Sequence, residues 1–126
     1  LLLLLFLLLL LQHAIQLNHT IRYHCPGTIE VNGVTYTRPI YLNEHSSVLP
    51  WQIETIQLLS IQHLEALKTE PNTLILIGTG SKHVSLPITL LAQSKRPIES
   101  MRTQAACQTY LVLAQDKRPV TLALIP

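Results

Sequence analysis

Leu74-Ile75-Leu76-Ile77-Gly78-Thr79-Gly80 is an unbroken apolar run closed by two glycines. Four consecutive aliphatic residues without a polar alternate describe a strand covered on both faces, because a half-exposed strand would alternate. This makes 74–77 the predicted centre of a sheet and the glycines the point where the chain leaves it. Downstream, Pro87 opens a helix carrying Leu90, Leu91 and Ala92, and a short strand covers Ile98 to Met101. A helix then runs from Thr103 to about Ala114, and Val120 to Ile125 closes as a strand. Strand, helix, strand, helix, strand with short connections predicts an α/β sheet with right-handed parallel crossovers.

Upstream, Ser60 is the expected N-cap of a helix with Ile61, Leu64 and Leu67 on its apolar face, stopped by Pro71 and Asn72. Trp51, Ile53 and Ile56 are expected to form a further short strand after the polar connection from Glu44 to Pro50. From Ile21 to Leu42 apolar and polar residues alternate at the period of two. Asn32-Gly33 supplies the positive φ angles of a type I′ turn, so Thr28 to Tyr36 reads as a hairpin. Pro26-Gly27 marks the turn before it, and Pro39 implies an edge position or a strand start.

With 126 residues, 48% hydrophobic and 13% charged, the chain is large enough for one compact domain and little more. A formal charge of +2 and 5% aromatics lack the basic excess and stacking surface of general nucleic-acid binders, so no nucleic-acid partner is expected. The first eleven positions are leucine apart from Phe6, so residues 1–17 are read as a leucine-rich extension and 18–126 as the domain. As a helix the run spans roughly 16 Å, about half a bilayer's hydrocarbon core. Neither a transmembrane helix, a secretory signal nor membrane contact through Leu1 to Leu11 is expected from it. Cys25 and Cys107 form no disulfide framework and no zinc-like spacing, which points to a reducing, cytoplasmic compartment.

Gly78-Thr79-Gly80-Ser81-Lys82 is the most suggestive chemical feature, since glycines after a buried strand let backbone amides approach an anion. It is neither a P-loop, whose spacing it lacks, nor a dinucleotide fingerprint, whose third glycine is replaced by His83. The histidines are scattered; His19, His24 and Cys25 come nearest to a ligand set but lack a fourth member, so no metal site is expected. There is no G-x-S-x-G elbow, and the only aspartate is Asp116. Cys107, beside Ala105 and Ala106 early in the predicted helix, reads as a small packing residue rather than a reactive thiol. No catalytic residue and no cofactor are expected.

Ile77-Gly78-Thr79-Gly80, then Met101-x-Thr103-x-Ala105-Ala106-Cys107-x-Thr109-Tyr110, then Arg118 and the ending Ala123-Leu124-Ile125-Pro126 form a combination more specific than any one piece. On these residues, with Gly33 and Tyr36 also fitting, the stretch from Asn18 to Pro126 resembles a small conserved family of domains of unknown function. That family's eukaryotic relatives include a mitochondrial complex I assembly factor, the third of the numbered ones, and an adipogenesis-associated domain protein. The resemblance implies a single three-layer α/β domain with a mixed central sheet and an additional N-terminal β layer, the Mth938-like fold. It implies no established catalytic activity.

The matching positions Gly78, Thr79, Gly80, Met101, Thr103, Ala106 and Cys107 are expected to border one cleft, because parallel strands open ligand crevices at their carboxyl ends. Three positions depart from the family pattern: Arg102 where an acid is usual, Leu111 where an asparagine is common, and Lys117 where glycine often stands. The leading expectation is therefore a non-enzymatic assembly or interaction factor with an unknown protein partner. The alternative is a domain that binds a small anion or metabolite, or an enzyme, using Gly78, Thr79, Gly80, Ser81, Lys82, Met101, Arg102, Thr103, Ala106 and Cys107, with the Arg102 guanidinium turning the cleft towards anions.

Overall fold

The computed structural model describes residues 1–7, 19–67 and 69–126. β1 (Ile21–Cys25), β2 (Thr28–Val31) and β3 (Val34–Tyr36) form an antiparallel three-stranded sheet in sequence order. Its hairpin turns at Asn32 and Gly33, both in the left-handed region at φ 53° and 82°, as the type I′ reading requires.

A five-stranded mixed sheet is the centre of the domain. It is built from β4 (Ile40–Asn43), β5 (Leu49–Pro50), β6 (Leu74–Gly78), β7 (Ile98–Met101) and β8 (Val120–Leu124), in the order β5-β4-β8-β6-β7. β6 runs parallel to both β7 and β8, while β4 is antiparallel to both β8 and β5. Between the strands lie α1 (Ile61–Glu65), α2 (Ile88–Gln93) and α3 (Thr103–Gln115).

Alternation along β6 and β8 divides the core in two. Leu76, Val120, Leu122 and Leu124 face α3 and the three-stranded sheet, meeting Ala106, Cys107, Tyr110, Ile21, Ile29 and Val31. Ile75, Ile77 and Ala123 face the opposite layer, where Trp51, Ile53, Ile56, Leu64, Leu67 and Leu90 cover them. A fully buried side chain of this kind contributes about 1.5–3 kcal/mol relative to exposure, so both layers are held mainly by apolar burial.

Several expectations need correction. The middle strand is β8, not β6; its buried Thr121 interrupts the apolar run that would have marked it. Trp51, Ile53 and Ile56 form no strand. The chain there has only β5 before it and a 3₁₀ turn at Ile56–Leu58 after it. Trp51 donates its backbone N–H to Pro39 O at 3.0 Å and its ring N–H to His63 O at 3.1 Å. Trp51 and Ile53 keep the spacing of two that a strand shows, but Ile56 follows three residues on, inside the 3₁₀ turn.

The first helix starts after Ser60, whose backbone N–H donates to His63 Nδ1 at 3.0 Å, and it ends at Glu65, ahead of Pro71. Pro39 precedes the start of β4, which is paired on both sides. In α2 Leu90 is buried while Leu91 and Ala92 are exposed.

Leu1 to Leu7 are exposed, with helical backbone over residues 2–7. The rest of the leucine run and the expected boundary between 17 and 18 lie outside the described residues. Among the described residues no helix is long and apolar enough to cross a membrane.

Candidate functional site

The parallel pairing of β6 with β7 and β8 brings the Gly78-Thr79-Gly80 turn against the start of α3 and the end of β8. Hydrogen bonds then tie these ends together. Thr79 N–H donates to Met101 O at 2.9 Å and Ile125 N–H to Gly78 O at 2.9 Å, extending the ladder on both sides. Thr103 is completely buried and closes the knot. Its hydroxyl donates to Ile125 O at 2.6 Å and accepts from Gly80 N–H at 2.8 Å, while its own N–H donates to Gly80 O at 2.9 Å.

This arrangement changes the reading of the glycine turn. The Thr79 and Gly80 amides, which an anion would need, are already bonded within the fold. Gly78 is required because a Cβ there would lie 2.7 Å from Leu124 Cδ2 and 2.9 Å from Thr103 Cα. Gly80 is required for its φ of 104°. Thr79 turns its hydroxyl inward, donating to Lys82 O at 2.7 Å and accepting from Val84 N–H at 3.1 Å. Lys82 itself is exposed.

The space lies beside this knot. A cavity of about 230 Å³ opens between Gly80, Ser81, Arg102 and Gln104 on one wall and Tyr23 to Pro26, at the end of β1, on the other. The structure therefore brings Gly80, Ser81 and Arg102 together at one opening. Gly78, Thr79, Lys82, Met101, Thr103, Ala106 and Cys107 do not line it. Met101 is half-buried, with Sδ accepting from the Thr109 hydroxyl at 3.4 Å, and Ala106 and Cys107 are on the buried face of α3. The wall from Tyr23 to Pro26 was not anticipated, because only packing of the small sheet beside α3 places it there.

The two cysteines differ in chemistry. Burial pushes the Cys107 thiol up to about 12 from an ordinary 9.0, so it stays protonated and unreactive in the folded chain. Cys25 is exposed. Iodoacetamide at about pH 8 is therefore expected to alkylate Cys25 in the native protein and Cys107 only after denaturation, as read by peptide mass spectrometry. The same shift sets a sign for alkaline stability. Above pH 9 the unfolded chain's thiol ionises while the folded one holds its proton until about pH 12, so this contribution is full below 9 and lost across that window.

Tyr23 has a hydroxyl that is buried and, among the described residues, has no hydrogen-bond partner. Desolvation raises its pKa, with the nearby Cys25 and Cys107 adding to the shift.

His19, His24 and Cys25 do not form a common ligand set. His19 Nε2 faces two carbonyls, Asn43 O at 2.8 Å and Ser46 O at 3.0 Å. Carbonyls only accept, so Nε2 carries the proton and Nδ1 accepts from the Asn32 amide at 3.0 Å. His24 pairs with Glu30 at 2.8 Å. Among the described residues no group of three or more His, Cys, Asp or Glu side chains is placed to hold a metal ion.

Comparison with known proteins places this geometry in a wider set. The chain is 28% identical over 119 residues to the 13 kDa major membrane protein of Francisella tularensis subsp. holarctica (strain LVS), a match covering 90% of this chain and 96% of that one. A crystal structure of a Bordetella parapertussis protein superposes with a TM-score of 0.79 at 29% identity, covering 90% of this chain and 98% of the other. A solution structure from Bordetella pertussis, described as an Mth938-like domain, superposes with a TM-score of 0.68 at 24% identity, covering 86% and 85%. The fold is thus Mth938-like, as the resemblance implied. The family model of a protein of unknown function (DUF498/DUF598) matches residues 21–125, from the first residue of β1 to the residue after β8, and the chain belongs to that family.

Proposed function

We propose that the chain is a non-enzymatic interaction or assembly factor that takes up an extended segment of another protein. One observation carries this reading: an open groove of about 310 Å³ between two free sheet edges, lined by Thr35 to Ile40 and by Val48 to Pro50. β3 is an edge of the small sheet and β5 an edge of the large one. In a two-residue hairpin Val34 and Tyr36 face Val31 and Ile29 with their backbone groups, which leaves the N–H and C=O of Thr35 pointing outward. An added strand would pair there and seat an apolar side chain against Val48 and Leu49.

Two further observations support a binding role over catalysis. The polar groups of the glycine turn are used within the fold, and the Cys107 thiol is buried. The free thiols agree with a reducing, cytoplasmic compartment. The Francisella relative's name puts that protein at a membrane, and a membrane-held partner is compatible with both.

The test is affinity capture from the native cell at mild salt using the full chain, its Leu49→Arg variant, and Leu58→Arg as a control at another exposed leucine. A stoichiometric partner recovered by the parent chain and by Leu58→Arg, but lost with Leu49→Arg, is the expected result. Recovery of the chain alone, or equal capture by both variants, would overturn it.

A further inference from the structure

We propose that His19 is a pH-sensitive latch between the two walls of the groove, joining them while its imidazole is neutral and loosening them when it is protonated. The latch is a property of the fold; its use, the release of a bound segment in acid, rests on the groove reading above.

The small sheet supplies one wall through Thr35 and Tyr36, and the chain after β4 supplies the other through Val48 to Pro50. His19 stands just before β1 and is buried. Its Nε2–H is shared between Asn43 O at 2.8 Å and Ser46 O at 3.0 Å, on the bend that leads from β4 to Val48. Its Nδ1 accepts from the Asn32 side-chain amide at 3.0 Å, in the turn that leads into β3. Among the described residues, the two bonds from Nε2 are the only hydrogen bonds between residues 19–36 and the rest of the domain. Otherwise the small sheet is held by the apolar packing of Ile21, Ile29 and Val31.

The ring has no room for a second proton. Asn32 Oδ1 accepts from Thr20 N–H at 2.9 Å, which assigns the Nδ2 side of the amide to His19. A proton on Nδ1 would therefore meet an N–H donor, and reversing the Asn32 amide only moves the conflict to Thr20 N–H. Protonation costs a hydrogen bond whichever way Asn32 stands, and the loss falls on the polar tie between the walls. The latch is thus complete above the histidine range and lost as the pH falls through it.

The other titratable and charged groups on the surrounding elements are Arg22 and His24 on β1, Glu30 on β2, Tyr36 on β3, Glu44 and His45 after β4, and Tyr23 and Tyr110 towards α3. Burial raises both Tyr23 and Tyr110, so they keep their protons. Of these residue types only histidine ordinarily changes charge between pH 5 and 8. His24 pairs with Glu30 at 2.8 Å and His45 lies 3.9 Å from Glu44, so neither joins the walls.

The experiment is proton–nitrogen correlation NMR of the full chain from about pH 8 to about pH 5, with the His19 ring resonances reporting its protonation. The amides of Thr35 and Val48, one on each wall, should shift with the midpoint of the His19 ring. That midpoint should vanish from both walls in His19→Gln and persist in His24→Gln and His45→Gln. Asn32→Asp is the sharper variant, because a carboxylate accepts from Thr20 N–H and from a protonated Nδ1 together, and Asp tolerates the positive φ of this turn. There the His19 ring should titrate without moving either wall. Wall amides that hold still in the parent chain, a His19 ring that stays neutral to about pH 5, or equal wall shifts in the parent and Asn32→Asp would overturn the latch. Capture of the partner should weaken about tenfold between neutral pH and about pH 5.5 for the parent, the worth of one hydrogen bond, and less than about twofold for Asn32→Asp. Wall shifts as expected with no partner captured at neutral pH would sink the groove reading alone, so the two failures are separable.

Discussion

Replacing Thr103 by valine is expected to destabilise the domain by about 3 kcal/mol, since each buried polar group left without its partner costs about 1–3 kcal/mol. The variant keeps the shape of the side chain and deletes only the hydroxyl. That hydroxyl joins Gly80 N–H, at 2.8 Å, to Ile125 O, at 2.6 Å, across a completely buried position. The Gly80 N–H bond is buried, so that amide loses its acceptor outright, while the Ile125 O is only partly buried. Urea unfolding followed by circular dichroism measures the loss as a lower midpoint at an unchanged slope. Thr103→Ser retains the hydroxyl and should recover most of the stability. Equal midpoints for the valine and serine variants would show that the hydroxyl is not what holds the knot.

Gly78→Ala is expected to cost about 2–3 kcal/mol, the upper part of the range for overpacked cores. Gly78 has no positive φ, so the effect is one of space alone. The added methyl would sit 2.7 Å from Leu124 Cδ2 and 2.9 Å from both Thr103 Cα and Thr103 Oγ1. Leu124 can change rotamer only into a full core, and Thr103 Cα is backbone, so α3 must lift from the sheet. Thermal unfolding should show a fall of several degrees, on the order of 5 °C or more for a domain of this size. An unchanged transition would mean that α3 docks with slack at its first turn. Because both substitutions act on the same contact, their effects in the double variant should fall short of the sum.

The two variants also separate the roles of this segment. Both residues stand among those suggested by sequence as cleft positions, and both are turned into the protein. Their tight spacing is explained by the close approach of a helix to two strand ends, without any ligand. Arg102, between Met101 and Thr103, is exposed on the cavity rim together with Gln104. A reading of the motif as a single functional unit would thus mix positions that hold the fold with positions that face outward.

Local signals were enough for much of the architecture. The apolar run at 74–77, Pro87 before α2, the stretch from Thr103 and the Asn32-Gly33 turn each act through a few neighbouring residues, by period, missing N–H or positive φ. These features are present in the sequence whatever lies elsewhere in the chain. Trp51 to Ile56 was misread for the same reason in reverse. Trp51 and Ile53 are two apart but Ile56 follows after three, and the residues plug the core opposite Ile75 and Ile77. Thr121, buried at the centre of the sheet, hid the rank of β8 because a polar residue in a strand signals exposure unless its neighbours are known.

The sequence by itself therefore determined the α/β class, the positions of the hairpin, β6, β7, α3 and β8, and, through the glycine turn and the Met101 to Tyr110 segment, the family. Tertiary structure alone decided the order of the strands, the internal use of the Thr79 and Gly80 amides, and the meeting of Tyr23 with Arg102 across a cavity. The physical reason is range. Periodicity and turn chemistry operate over a few residues, whereas a cavity wall and the partner of a buried amide are set by segments far apart in the chain that meet only when apolar faces pack.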